Sequence, residues 1–518
     1  MSPSEPLPGS GGRALRFARN VSWNLLGQIG VSLVNFFAIP YLVSRLGLEG
    51  YGLYILLHAC AGYLQVLSFG SGAAVLKYAA QFQAARARLG LRDTLVYSSA
   101  IHVFGALAGG VLLGVGAPFC LTRIFHVPGS LLASGTFVLR CAAAGAVCAA
   151  LIQLSLAVLQ GLQRFGWQNL LVFVQNTLMA LGAVALLAQG WGLSGVAAWY
   201  VLVSLVICLL ALAVAGRLLR PASAYPPGEG LAFRKFAAFS LGAWFGPLAW
   251  IVVYQFDKIF LARFAALSGL TLYAVPAGLL QRLQVIPATI SVVVLPMMSE
   301  LQGPEAEETL RRIYLRSVKF VLWALLPALV LLFALMPQFL GLWLGGEFGG
   351  RSVWPARLLV VSQFFFLLCA IPNALVSSRD KPWLMSAVAW AQAALSLLAW
   401  QVLIPRYNLL GVALGSLLAQ ALPALAYLFF VHRRVLGIPW KLYFSESLYS
   451  PLVSAGLLLA LVFPIHASAS SWPRLVALCV GGCLLYYGST WHFLGSEDRA
   501  LFRKFAGFRA EPAPGGGS

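Results

Sequence analysis

Leu91-Arg92 opens a long apolar run, and 219 residues later Leu310-Arg311 opens another. The same offset carries Ala117-Pro118 onto Met336-Pro337 and Tyr54 onto Tyr273. Further along it slips to 216, carrying Trp167 onto Trp383 and Gly195-Val196-Ala197 onto Gly411-Val412-Ala413. A steady offset over roughly 150 residues describes a duplicated scaffold, and paired lobes in a membrane protein are the plan of a transporter that rocks about a site between them.

The rest of the chain fits a bilayer. It is 60% hydrophobic and only 10% charged, with a mean hydropathy of +0.85. A span needs about 20 mostly apolar residues. Dividing the chain at its charged and Pro/Gly-rich breaks gives about fourteen such stretches, from 19–44 and 51–76 to 473–494. Strand-type alternation is absent, which argues against a β-barrel. The expected fold is an all-α polytopic membrane protein of about 14 transmembrane helices, two pseudo-symmetric six-helix lobes plus two C-terminal helices. Residues 1–12 read as a disordered N-terminus and 13–216 as the first lobe. Residues 217–233, with Arg220-Pro221-Ala222-Ser223-Ala224-Tyr225-Pro226-Pro227-Gly228, read as a cytoplasmic linker. The second lobe takes 234–435, the two added helices 436–494, and a basic cytoplasmic tail 495–518.

Net charge is +20, a value that also suits nucleic-acid binding, but the charge is arranged for a membrane. With a cytoplasmic N-terminus, about 25 Lys and Arg residues fall on the inner side against about 8 on the outer, the bias of a multi-pass protein with both termini inside. These loops are expected to contact anionic membrane lipids, not nucleic acid. The eight cysteines form no paired framework, and most lie inside apolar spans as small hydrophobes. No cofactor or metal motif is present in the sequence.

Ionisable groups at membrane depth are costly, so each is a functional candidate. Arg140 lies about 15 Å into its helix and Arg282 at a similar depth in the eighth span. Gln281, Gln284, Ala288 and Ser291 form one stripe beside Arg282. His102 falls near mid-depth and His58 nearer the outer side. Two readings compete for the arginines: lining a water-filled cationic cavity, or tying helices through neighbouring carbonyls. The first span carries Asn20, Asn24, Gln28 and Asn35 on one face, more amides than packing requires, and the cavity is the favoured setting. In the fifth span the pairs Gln168/Gln175 and Asn169/Asn176 read as interhelical glue. Asp257 is the one carboxylate clearly within a predicted span, near the outer end of the seventh. Beside Lys258 it reads as local charge compensation, with ion coupling as the alternative. A cationic, amide-lined cavity suits an anionic head group bearing phosphate and hydroxyls.

The opening Arg19-Asn20…Trp23-Asn24…Gly27-Gln28, then Ile39-Pro40-Tyr41-Leu42-Val43-Ser44-Arg45-Leu46-Gly47 and Gly50-Tyr51-Gly52-Leu53-Tyr54, resembles the polysaccharide flippases. These are the oligosaccharide-exporter branch of the multidrug/oligosaccharidyl-lipid/polysaccharide exporter superfamily. Phe69-Gly70-Ser71-Gly72…Lys77-Tyr78, Leu159-Gln160-Gly161…Arg164-Phe165 and Asp257-Lys258…Leu261 are similar to its later landmarks, and the likeness runs over about residues 13–495.

The resemblance implies a V-shaped two-lobe protein of the bacterial cytoplasmic (inner) membrane that moves an undecaprenyl-diphosphate-linked oligosaccharide by alternating access. On that view Arg140 and Arg282 bind the diphosphate, His58 and His102 assist, and Asn24, Gln28, Asn35, Gln281 and Gln284 meet sugars. Arg45 and Lys77, basic residues inside the matching motifs, complete the set. Polysaccharide polymerase or export proteins are implied partners, and nothing requires more than a monomer. The alternative is an ion-coupled small-molecule or multidrug antiporter of the same fold, with Asp257 as its coupling group. Drug-exporting relatives usually carry first-lobe carboxylates, which this chain lacks. An integral polymerase or ligase needs a large outer catalytic loop, and the outer loops here are short, so no enzyme activity is expected.

Overall fold

A computed structural model describes residues 10–301 and 303–493, and Arg499. The first nine residues and the rest of the basic tail lie outside the described residues, as do the side chains of Asn20, Asn24 and Gln28. Residues 10–12, placed by the sequence in a disordered N-terminus, already belong to the first helix.

Lipid offers no hydrogen bonds, so a spanning backbone must satisfy its own polar groups, and helices do this within one segment. The described chain accordingly runs as α1 (Ser10–Leu64), α2 (Ser71–Ala84), α3 (Arg88–Phe119), α4 (Gly129–Gly161), α5 (Phe165–Ala188) and α6 (Gly192–Leu219). Then come α7 (Phe233–Phe264), α8 (Leu267–Gln281), α9 (Val285–Glu300), α10 (Glu307–Leu344), α11 (Gly346–Arg351) and α12 (Val353–Ser378). The last are α13 (Trp383–Tyr407), α14 (Leu409–Phe430), α15 (Trp440–Tyr443), α16 (Tyr449–Ile465) and α17 (Trp472–Phe493). Among the described residues, 12 helical stretches are long and apolar enough to cross a membrane, and there is no strand. The first of them, Ile29–Ser68, is 40 residues long, roughly twice what a bilayer core needs. It holds parts of both the first and the second expected spans, which meet at Gly47 with non-helical angles (φ 69°, ψ 174°). The last expected span corresponds to α17, which lies outside those twelve, and the second expected span, 51–76, is interrupted by a turn at Phe69-Gly70.

The described chain forms two compact units. The first comprises the chain to Pro276 with Ala389–Ser416, and the second Ala277–Val388 with the chain from Leu417. In the first, α4 is the central post: α1, α2, α3 and α6 all pack on it. Gly70, at φ 70°, lets α2 turn against α7, because a Cβ there would stand 2.3 Å from the Ser240 carbonyl oxygen. The linker is stitched to the start of α3: Arg88 and Leu89 donate to the Pro226 and Pro227 carbonyls at 3.0 and 2.8 Å. Leu231 N–H donates to Asp93 Oδ2 at 2.9 Å.

In the second unit α10 is the post, packed by α9, α12, α16 and α17. At the far end of its core His432 is buried among Tyr314, Trp440 and Tyr443, with Nε2 2.9 Å from the Tyr314 hydroxyl. One of the two prolines inside α10, Pro337, has an identifiable remedy. Pro337 has no N–H, so the carbonyl four residues earlier, at Phe333, loses its helical partner. Arg357 of α12 donates its Nε–H to that oxygen at 2.9 Å, while Nη2 reaches the Ala334 carbonyl at 3.4 Å. The guanidinium also sits over the rings of Phe333, Trp354 and Phe463, at 5.1–5.4 Å. Arg357 is 6% exposed.

Replacing Arg357 with Met should therefore destabilise the purified protein by about 1–3 kcal/mol, the cost of an orphaned buried carbonyl. In a Pro337→Ala background, where the substituted residue restores the missing backbone N–H, the same replacement should cost clearly less. Thermal unfolding in detergent of the two single variants and the double variant checks this coupling.

Candidate functional site

In the first unit α1 sets Tyr51, Tyr54 and His58 at i, i+3 and i+7, one face of a helix. Their rings form a run, Tyr51 to Tyr54 at 5.4 Å and Tyr54 to His58 at 4.6 Å, and Tyr200 of α6 closes on His58 at 5.5 Å. The flanking Leu56 and Leu57 are wholly buried, whereas His58 is exposed. The imidazole thus opens onto accessible space with tyrosines around it. Sequence reading found His58 but missed Tyr54 and Tyr200 as its companions. The i, i+3, i+7 spacing on α1 was the available signal, and the α6 tyrosine had none.

His102 behaves differently. It is 3% exposed, and its Nδ1 lies 3.0 Å from Ser71 Oγ, 3.3 Å from Ser98 Oγ and 2.9 Å from the Ser98 carbonyl. It ties α2 to α3 and does not share the surface of His58. Asn35 is half-buried, and its Nδ2 donates to the Val31 carbonyl of its own helix at 2.8 Å. The α1–α5 seam is close, with a Cβ at Gly30 falling 2.8 Å from the Phe173 ring. On α5 Gln168 Oε1, Asn169 Nδ2 and Thr177 Oγ1 are buried with no partner among the described residues, Asn169 lying beside Gly27 of α1. Arg45 is exposed with its guanidinium 5.4 Å from the Tyr41 ring. Lys77 is exposed with its ammonium 3.9 Å from the Phe239 ring. Arg140 is exposed on α4, away from the faces that pack on α1 and α6.

Asp257 is sealed. It is 2% exposed and accepts from the Tyr273 hydroxyl at 3.0 Å and from Lys258 N–H at 2.8 Å. The Lys258 ammonium stands 3.4 Å away and donates more closely to the Tyr254 carbonyl, at 2.7 Å. The network continues from the Tyr273 hydroxyl to Ser416 Oγ at 3.4 Å, which accepts from the Trp400 indole at 3.2 Å. Tyr63 adds a hydrogen bond to the Gln255 carbonyl. Within the first unit, α1, α7 and the portions of α8, α13 and α14 that belong to it are thus knit around one carboxylate.

In the second unit the expected polar stripe is divided. The helix changes to a 3-10 turn at Arg282–Gln284 before resuming as α9, and this shifts the angular step of the side chains. Gln284 donates to Gln363 of α12 at 3.0 Å, and Ser291 donates to the Ala370 carbonyl at 3.1 Å. Both polar groups therefore face α12. Arg282 is exposed at the interruption itself, and Gln281 beside it is half-buried. Among the described residues no group of three His, Cys, Asp or Glu side chains gathers as a metal site would require.

Comparison with known proteins agrees with this architecture. A family model described as "Polysaccharide biosynthesis protein" matches residues 17–302. A Shigella flexneri protein provisionally named an O-antigen transporter is 23% identical over 432 residues, 79% of this chain and 96% of that protein. Among solved structures, the lipid II flippase MurJ in an inward closed conformation aligns with a TM-score of 0.68 at 14% identity, covering 92% of this chain and 100% of that one. An inward-facing multidrug resistance MATE family transporter of the MOP superfamily aligns with a TM-score of 0.62 at 17% identity, covering 80% and 98%. At these identities the two solved structures speak to the fold.

Tyr273→Phe leaves the ring in place and removes a donor from Asp257. It should lower stability by roughly 0.6–1.7 kcal/mol, the range for side-chain hydrogen bonds between membrane helices. A thermal unfolding curve unchanged from wild type would remove Tyr273 from the support of the carboxylate.

Proposed function

The chain belongs to the polysaccharide biosynthesis protein family, and from that premise we propose that it is a flippase for an oligosaccharide carried on a polyprenyl diphosphate. The observation that carries this reading is the contrast between its intramembrane charges. Arg282 is accessible at a break in its helix, while Asp257 is closed beneath Tyr273 and beside Lys258. An accessible cation at membrane depth selects an anionic head group, and a guanidinium donates two parallel hydrogen bonds to a phosphate.

Arg282 is the residue assigned to the diphosphate. The 3-10 turn at 282–284 shifts the angular step of the side chains there, and Arg282 stands exposed at it. In the first unit the Tyr54–His58–Tyr200 cluster offers aromatic faces for the apolar sides of sugar rings and hydroxyl and imidazole groups for their alcohols. Arg45 and Lys77 lie in the family's landmark motifs, each drawn against an aromatic ring, and are assigned to the approach of the charged head.

The proposed cycle is alternating access by the two repeat lobes, with the sugar-diphosphate head crossing and the lipid tail remaining in the bilayer. It makes and breaks no covalent bond. Its setting is the bacterial cytoplasmic membrane, and polymerase or export proteins are its proposed successors in the handling of the glycan. Likeness to a lipid II flippase of 14% identity and to a provisionally named O-antigen transporter supports the same class of cargo.

A second reading, an ion-coupled small-molecule antiporter, is favoured by one feature, the sealed Asp257 and its hydroxyl network. The two separate experimentally. In cells lacking the native gene, Arg282→Ala should leave lipid-linked oligosaccharide on the inner leaflet, with export reduced at least about tenfold for a lost phosphate contact, while Arg282→Lys retains a measurable fraction. Full export by Arg282→Ala contradicts the assignment. Unchanged glycan export with loss of drug tolerance in Asp257→Asn supports the antiporter.

A further inference from the structure

The face of α4 that carries Arg140 is a second place where this chain meets an anion, separate from Arg282 and from the His58 cluster. At about 100° per residue, Val138, Cys141, Ala142 and Gly145 turn toward α1 and α6. Val138, Cys141 and Ala142 share a buried cluster with Leu57 and Ala61, and a Cβ at Gly145 would fall 2.5 Å from the Tyr200 ring. Ala143 turns toward α3, where its carbonyl lies 3.0 Å from a Cβ built on Gly110. What remains is a side of about 60° holding Ala133, Phe137, Arg140 and Ala144, and all four are exposed.

Helices α3 and α6 both pack on α4 yet scarcely touch each other, so this side of α4 is the floor of a slot between them. The exposed flank of α3 beside this side is apolar, with Leu107, Val111 and Val115, and the outward face of α6 carries the exposed Leu202, Leu205 and Leu209. Lower on the same side of α4, Leu154 and Val158 are buried with Leu91 of α3 and Ala215 of α6, which closes the slot at that end. It is open toward Gly129. Arg140 stands about 16 Å along α4 from Gly129, and a helical side chain leans toward its helix N-terminus, here toward the open mouth. Arg140 has no hydrogen-bond, ion-pair or ring partner among the described residues.

We propose that this slot is a binding site for one anionic phospholipid, its phosphate paired with Arg140 and an acyl chain lying along the alanine floor. An apolar surface of this kind belongs against lipid, and an unpaired cation on it at membrane depth requires an anion from the same phase. The occupant is a glycerophospholipid and not the saccharide carrier, because the floor supplies one cation and otherwise only Ala and Phe, with nothing to hold a second phosphate or sugars. It is anionic and not zwitterionic, because no carboxylate on the floor is available to receive an amine head group. The site does not depend on what the protein transports.

The test is native mass spectrometry of the full chain released from vesicles containing equal phosphatidylglycerol and phosphatidylcholine, with a trace of polyprenyl diphosphate. Wild type should retain one phosphatidylglycerol in preference to phosphatidylcholine. Arg140→Gln should lower that retention about five-fold, as expected for one lost cation, and Arg140→Lys should keep most of it. Ala144→Phe fills the floor while leaving the charge, and should lower retention as well, which keeps the test open if Arg140→Gln does not fold. Equal retention of phosphatidylglycerol in Arg140→Gln or Ala144→Phe overturns the proposal. Loss of polyprenyl diphosphate alone overturns it too, by giving the slot to the carrier.

Discussion

A carbonyl freed inside a bilayer has no water to turn to, and that constraint shapes this molecule from its helices to its arginines. Where a proline interrupts a helix's hydrogen bonds, a side chain can supply the missing donor. The Phe333 carbonyl, abandoned by Pro337, is met by Arg357, which is itself enclosed by three aromatic rings. The charge is therefore absorbed by the backbone and is unavailable to a ligand. The same constraint explains why the interruption that exposes a cation, at Arg282–Gln284, is a single 3-10 turn between two otherwise regular helices.

The duplicated sequence makes the consequence visible. Arg140 and Arg357 fall 217 residues apart, close to the 216–219 repeat, and Pro118 and Pro337 fall 219 apart. In the second copy the arginine is spent on the proline's orphaned carbonyl. In the first, Arg140 is exposed and has no such bond, and the turn after Pro118 is instead a π-helical stretch, Cys120–Ile124, with the Thr122 hydroxyl donating to the Pro118 carbonyl at 2.8 Å. Corresponding residues of one ancestral pattern have thus taken different work. The scaffold is repeated and its charges are not.

Much of this was legible in the sequence. Hydropathy and charge marked the helices, and the first two expected spans, 19–44 and 51–76, flank the break that the structure places at Gly47. The site was less legible, for physical reasons. A residue's depth follows from counting along a helix, but its direction depends on which neighbours flank that helix. Counting put Arg140 and His102 at mid-depth; packing turns one toward the α3–α6 slot and ties the other to Ser71 and Ser98. The stripe Gln281–Ser291 assumed a continuous helix, and a 3-10 turn broke its phase. Two features did carry a signal in the sequence: the i, i+3, i+7 ring spacing at Tyr51, Tyr54 and His58, and the orphan carbonyl four residues before Pro337.

The central claim is that an accessible intramembrane cation serves an anionic, sugar-bearing lipid head. Purified protein reconstituted into vesicles with a fluorescent polyprenyl-diphosphate oligosaccharide tests it directly, with an impermeant quencher reporting the exposed leaflet. The account predicts that the protected half of the label becomes quenchable with wild-type protein and remains protected with Arg282→Ala. Protection that persists with wild-type protein, or that is lost equally with Arg282→Ala, would contradict it.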